Sequence, residues 1–235
     1  MKYQQWNIKK RSEEAYQTLR KQGVPPLVAS TLSARGITCA EEAAALLSSD
    51  RDQIQDPFRM KDMDLATARI GRALRRGEKI AVYGDYDVDG ITATCLLTHY
   101  LRAQGGDVCY YIPNRLEEGY GVNCQAVDQL AAQGVRLIIT VDCGITAVEE
   151  VKYAAKLGLD LVITDHHECK EVIPAAVAVV DPRRKDCPYP FKDLAGVGVA
   201  LKLVQYEDDE LFVFDFKVEI FNCLETIWVS FVNVL

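Results

Sequence analysis

The sequence predicts an α/β fold: a doubly wound, mostly parallel five-stranded sheet preceded by a helical N-terminal segment. Three observations carry this expectation. Short β-rich runs at Ile80–Tyr83, Val108–Ile112, Leu137–Val141, Leu161–Thr164 and Ala176–Val180 are apolar on both faces, as buried parallel strands require. The first four runs start 24 to 29 residues apart, about the length of one strand-plus-helix unit. Helical stretches at 91–104, 123–133 and 146–157 fill the intervals, with a short turn near 169–173. In such a fold ligands sit beyond the carboxyl ends of the strands, which says where the chemistry should lie.

The elements follow in order. Ser12 to Gln22 reads as a polar helix ended by Gly23 and the Pro25-Pro26 pair. Leu27 to Ala34 follows and stops at Gly36, and Ala40 to Leu47 is rich in Ala and Leu. The loop Asp50–Pro57 leads to a helix from Asp64 to Arg76, with Leu65, Ala68, Ile70 and Leu74 near helical spacing and Gly77 at its end. The expected domains are therefore a helical segment 1–77 and an α/β domain 78–205. Residues 206–235 stand apart. They hold no Gly, Ala, Pro or Arg, five of the seven Phe, and seven acidic residues against one Lys. That break reads as an atypical tail, frameshifted or disordered.

Composition narrows the function classes. Apolar residues at 49% and charged residues at 26% exclude wholesale disorder. The net charge of -7 excludes a chain that is basic throughout, but a few well-placed cations can still line a nucleic-acid groove. The 8 Cys lie at least fourteen residues apart, so no zinc-finger spacing exists and reduced thiols are expected. The N-terminal MKYQQWNIKKR has no apolar signal region, and no stretch is long and apolar enough for a membrane span, so a cytoplasmic protein is expected.

The chemistry lies at the strand ends. After the first run comes Gly84-Asp85-Tyr86-Asp87-Val88-Asp89-Gly90, after the third Asp142-Cys143-Gly144, and after the fourth Asp165-His166-His167-Glu168. Three carboxylates within five residues repel one another unless a cation sits among them. A single Asp there is often a helix cap, but one cap site cannot use three side chains. The D-x-D-x-D-G start also matches a calcium EF-hand, yet the twelfth position is Leu96 where a Glu is required, and a strand precedes the motif. His166 and His167, two of three His in the chain, stand beside Asp165, whereas His99 lies within a helix and reads as structural. Mixed carboxylate and imidazole ligands suit Mn²⁺, with Mg²⁺ as substitute. Two such ions about 3.5–4 Å apart are the arrangement of phosphoester hydrolysis. Arg115, in a Gly-bounded loop at the same rim, has a guanidinium that can fork onto phosphate oxygens. Gly196-Val197-Gly198 reads as a closely packed helix N-terminus, because Leu201 replaces the third Gly of a nucleotide-binding fingerprint. Arg72, Arg75, Arg76 and Lys79, like Arg183, Arg184 and Lys185, read as solvated faces.

The ordered runs VYGDYDVDGITAT, PNRLEEGYG, VDCGI and TDHHE resemble the DHH phosphoesterase superfamily. With the upstream RGITCAEEAAALL and DPFRMKDMDLATARIGRALRRGEKI, the chain is similar to the RecJ-type single-stranded-DNA-specific exonucleases within it, over about residues 1–205. The resemblance implies a two-ion, Mn²⁺- or Mg²⁺-dependent 5′-to-3′ exonuclease on single-stranded DNA in repair and recombination, with a single-strand-binding protein or a helicase as partner. It implies Asp87, Asp89, Asp142 and His166 as metal ligands, Asp142 bridging the ions. Asp85 and His167 would position ligands or hold the scissile phosphate, and Arg115, Gly119, Tyr120 and Gly121 would contact the DNA backbone. Where some members carry a His two residues before the first motif Asp, this chain has Tyr83, which receives no ligand role. The family's further metal-binding Asp and second lobe are not recognisable after Gln205, so a truncated and poorly active chain is expected. The competing readings are a related phosphoesterase acting on short oligonucleotides or small phosphoesters, and an inactive remnant that binds a partner.

Overall fold

The computed structural model describes residues 9–47, 54–114 and 118–205. They form two compact units that divide between Gln55 and Asp56. The first holds α1 (Glu13–Lys21), α2 (Pro26–Ala34) and α3 (Ala40–Leu47). Ser12 caps α1 by accepting the Ala15 N–H, and α2 opens on Pro26, whose missing N–H costs nothing in a first turn. Leu19, Ala29, Leu32 and Ala43 make a small core of their own.

The second unit contains α4 (Met63–Arg76), β1 (Lys79–Tyr83), α5 (Val88–Ala103), β2 (Val108–Tyr111), α6 (Cys124–Ala132), β3 (Val135–Val141), α7 (Val148–Lys156), β4 (Asp160–Thr164), β5 (Ala178–Val180) and α8 (Gly196–Val204). The five strands are all parallel, in the order β2-β1-β3-β4-β5. Alternation along each strand separates two cores. Ile80, Val82, Leu137, Ile139, Val141 and Val180 pack under α4, α5 and α8. Ala81, Tyr83, Ile138, Leu161, Ile163 and Val179 pack under α6 and α7. Helices thus cover both faces, as the doubly wound class requires.

Met63, Ala66, Ile70 and Ala73 of helix α4 are buried against the sheet's core, and the two compact units divide at 55/56, whereas the sequence reading set the helical segment at 1–77. Helix α5 begins at Val88, three residues earlier than its periodicity suggested, because Asp87 accepts the Asp89 and Gly90 N–H groups and starts the helix there. Residues 171 and 172 form a bend, where a short turn near 169–173 was expected. The tail 206–235 lies outside the described residues. The seven described cysteines are all free. No helix among the described residues is long and apolar enough to cross a membrane.

Candidate metal centre

The sheet order reverses between β1 and β3, since chain connections run outward from there in opposite directions. A crevice at the carboxyl ends of these strands is the expected ligand site of such a sheet. Asp85 follows β1, Asp142 follows β3, and Asp165, His166 and His167 follow β4, so all five sit at that rim. Asp142 has φ 59, a left-handed backbone that a β-carbon rarely tolerates, and it is 1% exposed. The following Gly144 has φ 108. Together they turn the chain sharply off β3 and aim the Asp142 carboxyl into the crevice.

The three carboxylates of the first motif have three different positions. Asp87 caps α5. Asp89 reaches across to α8, where its two oxygens accept the N–H groups of Gly196 and Val197 at 2.7 and 2.8 Å. This long-range carboxylate stands where α8 has no side-chain cap of its own. Asp85 is buried and its Oδ1 has no hydrogen-bond partner. Two glycines permit this packing. A β-carbon at Gly90 would lie 2.6 Å from the Asp85 carbonyl oxygen, and one at Gly84 would lie 1.9 Å from Thr94 Oγ1.

Ligand atoms of Asp85, Asp87 and Asp142 lie within 4.8 Å of one another, and so do those of Asp142, His166 and His167. Asp142 is common to both groups. His166 Nδ1 lies 2.8 Å from the Leu194 carbonyl, which can only accept, so the ring proton is on Nδ1. The lone pair of Nε2 then faces Asp142 Oδ1 at 3.0 Å and Asp89 Oδ2 at 3.7 Å. Asp142 Oδ1 has no hydrogen-bond partner of its own. At that separation a proton or a metal cation can sit between the two atoms. Burial first, and then the charges of Asp89 and Asp87, push the Asp142 carboxyl up to about 8. Burial and the neighbouring Asp87 raise Asp85 as well. A divalent cation would reverse both shifts, and an all-oxygen-and-imidazole donor set fits one.

Asp165 is the residue that sequence reasoning passed over. It is 1% exposed. Its Oδ1 accepts the His166 and His167 N–H groups and the His167 Nδ1–H, at 2.7, 3.2 and 2.7 Å, and its Oδ2 accepts Ile145 N–H at 2.9 Å. Burial opposes its ionisation, but the His167 ring and these N–H groups outweigh that and hold the carboxyl below its ordinary range. The same hydrogen bond raises His167 to about 9 against the effect of burial. Its position at a strand end directly before two histidines was the available signal.

Of the expected site residues, the structure brings Asp85, Asp87, Asp142, His166 and His167 into the two groups. Asp89 borders the same space but faces α8. Tyr120 stands over His167, with its hydroxyl 3.3 and 3.4 Å from the ring nitrogens and 3.4 Å from the Asp142 carbonyl. Gly119 and Gly121 have φ 80 and 85, which only glycine adopts freely. Arg115 lies outside the described residues. Tyr83 does not enter the crevice with a free hydroxyl, since it donates to the Gly121 carbonyl at 3.0 Å. Gly196 proves to be a close approach: a β-carbon there would lie 2.5 Å from Asp142 Oδ1.

The model of the DHH family N-terminal domain matches residues 79–224, a span that runs past the compositional break at 205/206. The single-stranded-DNA-specific exonuclease RecJ of Bacillus subtilis (strain 168) is 47% identical over 199 residues, 84% of this chain and 25% of that protein. The exonuclease RecJ of Escherichia coli (strain K12) is 38% identical over 182 residues, 77% of this chain and 31% of that protein. The chain therefore spans about a quarter to a third of the length of these relatives. A crystal structure of RecJ in complex with Mn²⁺ from Thermus thermophilus covers 81% of this chain and 26% of its own, at TM-score 0.60 and 30% identity. A second, of an exonuclease RecJ bound to manganese, covers 62% of this chain and 37% of its own, at TM-score 0.55 and 39% identity.

Proposed function

The chain belongs to the DHH family, and from that premise we propose that its sheet unit is the metal-bearing part of a hydrolase that cleaves phosphodiesters of single-stranded DNA from the 5′ end. The observation that carries this reading is the sharing of Asp142 between the Asp85–Asp87 group and the His166–His167 group. Asp85, Asp87 and Asp142, together with His166, would hold two ions, Mn²⁺ or Mg²⁺, with Asp89 beside them. Manganese in the similar RecJ structures supports that choice. Such ions supply Lewis acidity toward a phosphate diester and lower the pKa of water.

The chain's own groups have distinct tasks. The Leu194 carbonyl fixes the His166 tautomer, so that Nε2 and not Nδ1 is presented to the crevice. Asp165 accepts the His167 Nδ1–H and so fixes the orientation of that ring at the crevice. Tyr120 and the glycines beside it form the rim on which the DNA backbone would lie, with Arg115 as a further phosphate contact. Roles in DNA repair and recombination, with a single-strand-binding protein or a helicase as partner, are part of this proposal and rest on the family resemblance of the sequence motifs alone.

A chimera tests this. Residues 56–205 replace the matching segment of the Bacillus subtilis relative, and Mn²⁺-dependent release of nucleotides from a 5′-phosphorylated single strand is measured. The expected result is nucleotide release that Asp142→Ala abolishes. A folded chimera that binds Mn²⁺ but releases nothing, or that prefers a dinucleotide to the long strand, overturns the reading.

A further inference from the structure

The loop between β2 and α6 carries a polar network that the metal centre does not use. Glu118 lies at its middle. Its Oε2 accepts the Tyr111 hydroxyl at 2.6 Å and Asn123 Nδ2–H at 3.1 Å, and its Oε1 accepts Asn114 N–H at 2.8 Å. The far end of the turn is fixed by the same network. Asn123 Nδ2 also donates to the Tyr83 hydroxyl at 3.3 Å, and that hydroxyl donates to the Gly121 carbonyl at 3.0 Å. Tyr83 and Tyr111 stack at 5.3 Å between ring centroids, on neighbouring parallel strands. The turn 118–121 is thus bolted to the sheet at both ends. What it presents at its apex is Tyr120, whose hydroxyl meets His167 and the Asp142 carbonyl and whose ring stands edge-on to Tyr86 and His167.

We infer that Glu118 is a positioning residue: by gathering Tyr111, Asn114 and Asn123 it fixes the turn that sets Tyr120 against His167. The inference rests on the proposed function only for its consequence in catalysis. The chain of contacts from Glu118 to His167 is independent of the substrate. A carboxylate is required because all three partners present N–H or O–H donors. Gln would set its NH₂ against one of them, with nearly unchanged volume.

The chain has 3 His, so ¹⁵N-histidine labelling gives a spectrum with His99, on the outer part of α5, as internal reference. The test compares wild type, Glu118→Gln, Tyr120→Phe and the double variant in the full chain. Glu118→Gln and Tyr120→Phe are both expected to move the ring resonances of His167 and to leave those of His99. The double variant is expected to shift His167 by less than the sum of the two single shifts, because both changes act through Tyr120, whose ring the Phe variant keeps. An unmoved His167 in Glu118→Gln, or additive shifts in the double variant, overturns the inference. Should Glu118→Gln fail to fold, Tyr111→Phe removes one of the three donors and is judged by the same criteria, with a smaller displacement expected. Mn²⁺-dependent nuclease activity of the chimera is measured beside it, where Glu118→Gln is expected to lower kcat about tenfold. A wild-type chimera without activity sinks the nuclease reading and leaves the His167 result to decide the inference.

Discussion

Replacing Gly196 by Ala strikes the centre from behind. The new β-carbon would lie 2.5 Å from Asp142 Oδ1, 2.6 Å from its Cβ and 2.7 Å from its Cγ. None of these atoms can swing away, because Asp142 is buried and its left-handed backbone is fixed by the turn after β3. Helix α8 must therefore shift on the order of 1 Å, which overpacking data place at about 1–3 kcal/mol. The shift also strains the two N–H groups that Asp89 accepts, hydrogen bonds to a charged group worth about 1.5–3 kcal/mol each. A net loss of about 2–4 kcal/mol lowers the melting temperature by roughly 5–10 °C for a unit of this size. Mn²⁺ affinity should fall at least about tenfold, since both metal groups share the displaced carboxyl. Thermal unfolding and Mn²⁺ calorimetry read both effects. Gly198→Ala is the control on the same helix. Its β-carbon would meet only the Leu194 side chain, at 3.2 Å, and the helix-propensity gain of about 0.5–1 kcal/mol offsets that squeeze. Unchanged melting and unchanged Mn²⁺ affinity in Gly196→Ala, or an equal cost in Gly198→Ala, refutes the reasoning.

Other outcomes follow from the same contacts. Arg69 is buried at the opposite end of the sheet and pairs with Glu78 at 2.7 Å and Asp160 at 2.6 Å. Arg69→Ala should cost about 2–3 kcal/mol in urea unfolding, less than a fully buried pair because Asp160 is half exposed, while leaving Mn²⁺ binding intact. Asp181, fully buried after β5, is raised to about 7 by burial. Its folded pKa exceeds its unfolded one, so stability should fall as pH rises from about 4 through 7, by on the order of a few kcal/mol. Asp181→Asn keeps an acceptor for the Arg183 N–H and should make that slope shallower in urea midpoints between pH 5 and 8, the remainder coming from Asp142. Asp165→Asn sets an NH₂ group among four donors and should lower stability by about 3 kcal/mol, seen as a lower melting temperature without added metal.

Much of this architecture was legible in the residues. The parallel sheet could be read because its strands are buried on both faces and recur at strand-plus-helix spacing, and the candidate site was visible as carboxylates and imidazoles at strand ends, five of which the structure brings into two groups. What stayed hidden depends on contacts between distant segments. Asp89 caps a helix that starts 107 residues later, and no local pattern announces that partner. Gly196 is small because Asp142 lies behind it, which spacing cannot reveal. The division at 55/56 has no local signal, because only the burial partners of α4 assign that helix to the sheet. Asp165 and Glu118 look like ordinary polar residues until their gathered donors are seen.

The central claim is that Asp142 is common to two metal-binding groups. Mn²⁺ titration of the purified chain, followed by calorimetry and by electron paramagnetic resonance, tests it most directly when wild type and Asp142→Asn are compared. Two ions per chain are expected in the wild type, with both sites lost in Asp142→Asn. Retention of either site in a folded Asp142→Asn chain would contradict it.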